Sequence, residues 1–349
     1  MKKIKVAVLF GGQSTEHDVS CLSAVSVIKN TDREKFEVNA VGITKDGVWC
    51  PIGDRADMIS GGEWRQEAEK YKGMSAGLEA VSECDVVFPV MHGIMAEDGT
   101  IQGVLELLRK PYVGCGVLAD AVCMDKVYTK IVLENAGIPQ AECVYVTRLE
   151  IEECLDEKVS LCGEKLGYPC FVKPSNSGSS VGVYKASSPE ELATALKAAS
   201  KYDRKVLVEE FIDGAEIECA VLGNEKPLAS TPGEILPSKE FYDYEDKYLS
   251  GTSAVRIPAK ITEEQKETVR TLAVKAFKAL DCAGLSRVDF FLEKGTGRIL
   301  LNEINTLPGF TEISMYSKMW AYDGVDFKTL VTRLIDLAFE NFERNKRII

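Results

Sequence analysis

The chain has 349 residues, 45% hydrophobic and 28% charged, a length that suggests two or three domains with cores of their own. Asp and Glu number 54 against 42 Lys and Arg, giving a net charge of -12. That balance argues against a general nucleic-acid binder and against an anionic membrane surface, while leaving room for local phosphate sites.

The elements are taken in chain order. MKKIKVAVLFGG has a basic tip, but its apolar run is short and ends in glycines without a cleavage site, so residues 4–10 read as a buried first strand and not as a signal peptide. Residues 20–28 read as a helix, 38–43 and 86–90 as strands, and 100–108 as a helix with Glu97 and Asp98 at its positive end. These make a first α/β unit, residues 1–122. A second unit, 123–204, holds helices at 124–136, 151–166 and 189–200 and strands at 144–146, 170–173 and 181–184. A third, 205–349, holds strands at 206–209, 216–222, 285–292 and 299–302, helices at 263–280 and 327–341, and a loop at 241–252. No run is long enough to span a bilayer. The eleven cysteines include no C-x-x-C pair, and Cys154, Cys162 and Cys170 read as buried or idle thiols of a reducing cytosol.

Five patterns carry chemistry. In FVKPSNSGSSVGVYK a strand ends in Lys173 and a Gly/Ser loop returns into a second strand. Such a hairpin can lay N–H groups over a polyphosphate with Lys173 as a point charge, or be an ordinary turn with a solvated lysine. SRVDFFLE and ILLNEINTLPGF read as antiparallel neighbours, with Asp289 beside Glu303, and Asn305 sharing Glu303's face. Two carboxylates and an amide oxygen are hard donors suited to magnesium, the alternative being a solvated polar face. Arg287 points the same way as Asp289, either to stabilise developing negative charge or simply to pair with the acids. His17 and His92 both come after apolar strands, at the ends where open α/β sheets bind ligands, though a lone histidine is more often structural. FYDYEDKYLSGT reads as a closing loop or a surface excursion.

In order, GGQSTEHDVS, HGIMAEDGTIQG, CMDK, FVKPSNSGSSVGV, VEEFIDGAEIE, EFYDYEDKY, SRVDFF and NEINTLPGFTEISM resemble the motifs of the D-alanine–D-alanine ligases of the ATP-grasp superfamily, over essentially the whole chain. The resemblance implies a three-domain α/β ATP-grasp fold: an N-terminal open parallel-sheet domain, and a nucleotide held between the sheets of the central and C-terminal domains. It implies ATP as co-substrate and two magnesium ions, replaceable by manganese, on Asp289, Glu303 and Asn305. Nucleotide contacts carry over to Lys126, Lys173, Ser180, Glu209, Glu210, Ile212, Glu216, Lys247 and Asn302. Glu16 matches the partner of the first substrate's ammonium, in a triad with Ser179 and Tyr248, and His92 and Val19 match first-substrate neighbours. Arg287 and the Gly309 N–H match an oxyanion hole, and Ser314 and Met315 match second-substrate contacts. His17 receives no carried-over role.

The implied reaction joins two D-alanines through a D-alanyl phosphate, for peptidoglycan precursors, in a cytoplasmic homodimer. D-Alanyl-D-lactate makers lack the FYDYEDKY-type loop, whereas D-serine makers can keep it. The apolar Met315 favours D-alanine, with a D-alanine–D-serine ligase as the alternative and a non-catalytic nucleotide-binding module as the rival of another class. The family's HGxxGEDG is HGIMAEDG here. If Ala96 had to adopt positive φ it would cost on the order of 1 kcal/mol.

Overall fold

A computed structural model describes residues 2–178, 181–236 and 254–346 of the chain. The first sheet contains β1 (Ile4–Gly11), β2 (Phe36–Ile43), β3 (Trp49–Gly53) and β4 (Val86–Pro89), in the order β3-β2-β1-β4. β1 is parallel to β2 and β4, and β3 is antiparallel to β2. Val6 to Phe10 are wholly buried, as an apolar run sandwiched on both faces should be.

The second sheet is antiparallel and contains β5 (Cys143–Thr147), β6 (Cys170–Pro174), β7 (Tyr184–Ala186) and β8 (Lys205–Glu210), in the order β5-β8-β6-β7. The strand expected to open the third unit therefore lies in the middle of the second sheet. A short strand that is buried end to end carries no sign in its own sequence of which sheet will cover it.

The third sheet, also antiparallel, contains β9 (Gly214–Gly223), β10 (Leu228–Ala229), β11 (Gly233–Leu236), β12 (Ala254–Arg256), β13 (Gly284–Glu293) and β14 (Ile299–Asn305). Its order is β12-β11-β9-β13-β14, with β10 paired to β9. β3, β10, β11, β12 and the helices Ala56–Gly61, Trp64–Ala68, Ser75–Ser82, Val117–Met124 and Met315–Tyr322 are short elements that hydrophobic periodicity does not reveal.

Three other expectations change. The helix at 124–136 is Lys126–Asn135, starting two residues later because Asp125, which separates it from Val117–Met124, has an extended backbone and a side chain that caps Tyr128 N at 3.3 Å. The Asp125 carboxylate also takes the Ser175 hydroxyl (2.5 Å) and the Lys205 ammonium, which ties the break to the second sheet. The helix at 151–166 divides into Arg148–Glu153 and Leu155–Leu166, the first opened by a Thr147/Glu150 capping box. The strand at 181–184 begins only at Tyr184, after a turn.

Packing also crosses the expected boundaries. Cys115, Ala119, Cys123 and Leu133 join Ile217, Val221, Phe277 and Val288 in one core, so residues 115–133 pack under the third sheet. Phe88 of β4 lies 5.7 Å from the ring of Phe310, so the first sheet shares a core with the chain just past β14. This brings the loop after β4 against residues 307–310. All eleven cysteines are unpaired. Cys162 and Cys170 are buried with thiols pushed up to about 11 by desolvation, while Cys154 is partly exposed. No helix among the described residues is long and apolar enough to cross a membrane.

Candidate active site

A cleft of about 920 Å³ opens between the second and third sheets. β6 and β8 supply Lys173, Glu209 and Glu210; β9 and β14 supply Glu216, Asn302, Glu303 and Asn305; Lys126 and Ile212 complete the set. Nine of the residues expected to meet nucleotide or metal therefore line one cavity. Phe171, Phe211, Ile212 and Phe291 make an apolar side to it, a surface suited to a purine face. Ser180, Lys247, Ser179, Tyr248 and the loop 241–252 lie outside the described residues.

Sheet register explains the acidic wall. Asp289 stands opposite Glu303 on one side and Glu218 on the other, so three carboxylates share one rung across β9, β13 and β14. Between Asp289 and Phe290 the register slips by one residue, leaving Asn302 as the extra residue of a β-bulge. Adjacent residues on a regular strand face opposite ways; the bulge lets Asn302 join Glu303 in the cleft. Arg287 sits on the same face, its guanidinium forked onto Asp289 (2.8 and 2.7 Å) and 3.1 Å from Glu218. Three acids around it hold its charge firmly. Asn305 Nδ2 donates to Asp289 at 3.0 Å.

The donor set fits magnesium chemically: two carboxylates and an amide on adjacent strands, two of the three lining the cleft. Both Asp289 oxygens already accept from Arg287, so Asp289 would share its charge between arginine and metal.

The phosphate side is as ordered. Lys173 Nζ lies 2.5 Å from Glu209 and 3.4 Å from Asn302 Oδ1. Lys126, at the first turn of its helix, donates to Ser177 O at 2.6 Å and so holds the Gly/Ser loop. Glu209's carboxylate is taken by Lys173 and by Lys130 (2.7 Å), and burial notwithstanding, these ammoniums hold its pKa down to about 2. Glu210 accepts the Glu142 N–H at 2.9 Å.

Glu16 lies apart from this cavity, just before the helix His17–Asn30, on whose first turn Val19 sits half-buried. A Cβ on Gly93 would fall 2.6 Å from Glu16 Oε2, and one on Gly178 would fall 3.3 Å away. These two glycines let the loop after β4 and the Gly/Ser loop both close on one carboxylate. His92 is buried, its ring bonded to Ser23 (3.2 Å) and to Leu307 O (2.9 Å), and burial lowers its pKa. Glu97 accepts the N–H groups of Gly93 (2.8 Å) and Leu307 (3.2 Å), and desolvation with Glu16 nearby pushes its pKa up to about 8. Both peptide groups of Leu307, two residues before Gly309, are thus held by one loop of the first unit.

Gly309 neighbours Ser314, whose hydroxyl accepts Thr311 N at 3.0 Å. Met315 is turned into the core against Gly233. His17 keeps a structural role: Nδ1 bonds Gly12 O at 2.8 Å and the ring stacks on Trp64. The left-handed residues in HGIMAEDG are Gly93, Met95 (φ 67°) and Gly99, and Ala96 carries no such strain, so its replacement of glycine is accommodated.

Two family models match this chain, described as the D-ala D-ala ligase N-terminus over residues 5–115 and the D-ala D-ala ligase C-terminus over residues 132–336. The chain belongs to the D-alanine–D-alanine ligase family. It is 53% identical to the D-alanine–D-alanine ligase of Acetivibrio thermocellus, covering 98% of each chain. Among solved structures, that of the D-alanine–D-alanine ligase from Coxiella burnetii aligns with TM-score 0.84 and 34% identity, over 99% of this chain and 96% of that one. The VanG D-Ala:D-Ser ligase from Enterococcus faecalis aligns with TM-score 0.86 and 36% identity, over 97% of this chain and 100% of that one. The architecture is accordingly ATP-grasp.

Lys130, Glu97 and Glu218 were not singled out as site residues from sequence. Glu218 had a readable signal, two positions from Glu216 on one strand. Lys130 and Glu97 had none, because the partners that bring them to the site, Glu209 and Leu307, are more than 70 residues away in the chain.

Proposed function

We propose that this protein joins two D-alanines to D-alanyl-D-alanine at the expense of ATP, giving ADP and phosphate, as a step toward peptidoglycan precursors. The observation that carries the reading is the pair of neighbouring rungs, Arg287 with Asn305 and Asp289 with Glu303, that brings these four together beside a cleft whose other wall offers Lys173. Family membership over the full length supports the same reaction. It also supports a division into three domains, with the second ending after β8 and not before it, as well as a homodimer and a cytoplasmic site of action.

ATP lies between the sheets with its base on the Phe171/Phe211/Ile212 side and its phosphates toward Lys126 and Lys173. Asp289, Glu303 and Asn305 would hold magnesium, which when bound neutralises phosphate charge. A carboxylate oxygen of the first D-alanine, its ammonium paired with Glu16, attacks the γ-phosphorus. The bond to the bridging oxygen breaks and ADP leaves. The amine of the second D-alanine, having lost a proton, attacks the resulting acyl phosphate. Arg287 and the Gly309 N–H stabilise the tetrahedral oxyanion, and phosphate departs with the attacking oxygen.

That oxygen supplies the test. With D-alanine labelled by ¹⁸O in its carboxylate, phosphate released in the reaction should carry one labelled oxygen. Unlabelled phosphate would rule out the acyl-phosphate route. The likeness to a D-Ala:D-Ser ligase supports a second reading, with D-serine as the second substrate. Met315 is turned into the core, and it is family membership that favours D-alanine as the second substrate.

A further inference from the structure

Behind the phosphate wall lies a buried cluster of alternating charge. Phe171 and Glu209 are register partners on β6 and β8, which brings Lys173 close to Glu209. The helix Lys126–Asn135 lays Lys130 on the far side. Glu209 Oε1 is 2.7 Å from Lys130 Nζ, and Oε2 is 2.5 Å from Lys173 Nζ, so each carboxylate oxygen has its own ammonium. The side chains of Lys130 and Glu209 are 8% and 6% exposed, Lys173's 16%. Lys130 is anchored further by Ala141 O at 3.2 Å. Lys173 lines the cleft, whereas Lys130 lines a cavity of about 10 Å³ behind it, room for one water.

The charges decide what this arrangement does. Two ammoniums and one carboxylate leave the cluster with one net positive charge; without Lys130 it has none. Glu303 and Glu216 also act on Lys173 from the third sheet, so the wall around it is otherwise acidic. Lys173 paired to Glu209 alone, in a buried site, would have its charge spent on that pair and little left for a phosphate.

We propose that Lys130 is a positioning residue for polyphosphate binding: it neutralises Glu209 from behind the cleft and leaves the charge of Lys173 for the nucleotide's phosphates. The inference rests on the nucleotide-binding half of the proposed function and not on the ligation itself.

Calorimetric titration of the full chain with ADP and with adenosine, in magnesium buffer, tests it. Lys130→Met is expected to weaken ADP on the order of tenfold while moving adenosine by less than about twofold. Lys130→Arg, which keeps the charge, should bind ADP within about threefold of wild type. Lys130→Gln keeps a polar group against Glu209 but removes the charge, and should weaken ADP as Lys130→Met does. That variant decides the matter even if Lys130→Met does not fold. Equal losses for ADP and adenosine, or wild-type ADP affinity in Lys130→Gln, would overturn the proposal. A wild-type chain that binds ADP yet makes no dipeptide would sink the ligase reading alone.

Discussion

Replacing Arg287 with alanine should lower kcat by about 100- to 1,000-fold, because a donor aimed at a developing oxyanion acts mainly in the transition state. The side chain is held for that task by a two-pronged bond to Asp289 and by Glu218. The same bonds mean that truncation removes the arginine that Asp289 and Glu218 share, a loss of stability of about 3–5 kcal/mol. Arg287→Lys separates the two effects. It retains a charge between Asp289 and Glu218, so the fold should persist, but it loses the planar fork, so kcat should stay depressed. The check is steady-state kinetics beside a thermal melt. A folded Arg287 variant with near-wild-type kcat would remove the residue from the mechanism.

The second large effect is expected at Glu16. Its carboxylate is buried where the loop after β4 and the Gly/Ser loop come together. Glu16→Gln keeps the shape but removes the charge that would pair with the first substrate's ammonium. The KM for D-alanine at that site should rise about 30-fold or more, in line with losing one partner of a buried charge pair. ADP affinity, set on the other side of the loop by Lys173 and Lys126, should be unchanged. A Glu16→Gln protein with wild-type KM for D-alanine would place the ammonium elsewhere.

How far the sequence could lead is clear from these residues. Asp289 opposite Glu303, with Arg287 and Asn305 on the same face, comes from strand alternation and one hairpin, and the structure has that register. The strip Glu209 to Glu216 and the lysine of FVKPSNSGSSVGVYK likewise reach one cleft. Asn302 needed the bulge, which alternation cannot foresee, since a single extra residue reverses the facing of every residue beyond it on the strand. The break at Asp125 depends on Ser175 and Lys205, distant residues that make an extended backbone there worthwhile. The membership of β8 in the second sheet is a tertiary choice for the same reason. Ala96 escapes strain because the left-handed positions of the turn fall on Gly93, Met95 and Gly99, a matter of backbone angles that residue identity alone does not settle.

The Gly/Ser loop gains a double connection. Lys126 holds it through Ser177 O, and Gly178 lies against Glu16. One segment thus touches both the nucleotide side and the amino-acid side, so filling either should favour closure over the other.

The most direct measurement is product stoichiometry. Purified protein with ATP, magnesium, and equal concentrations of D-alanine and D-serine is followed by mass spectrometry and by ADP release. D-Alanyl-D-alanine is expected as the main product, with one ADP and one phosphate per dipeptide. ATP hydrolysis without peptide, or no ADP at all, would contradict the ligase mechanism, and a predominance of D-alanyl-D-serine would overturn the choice of second substrate.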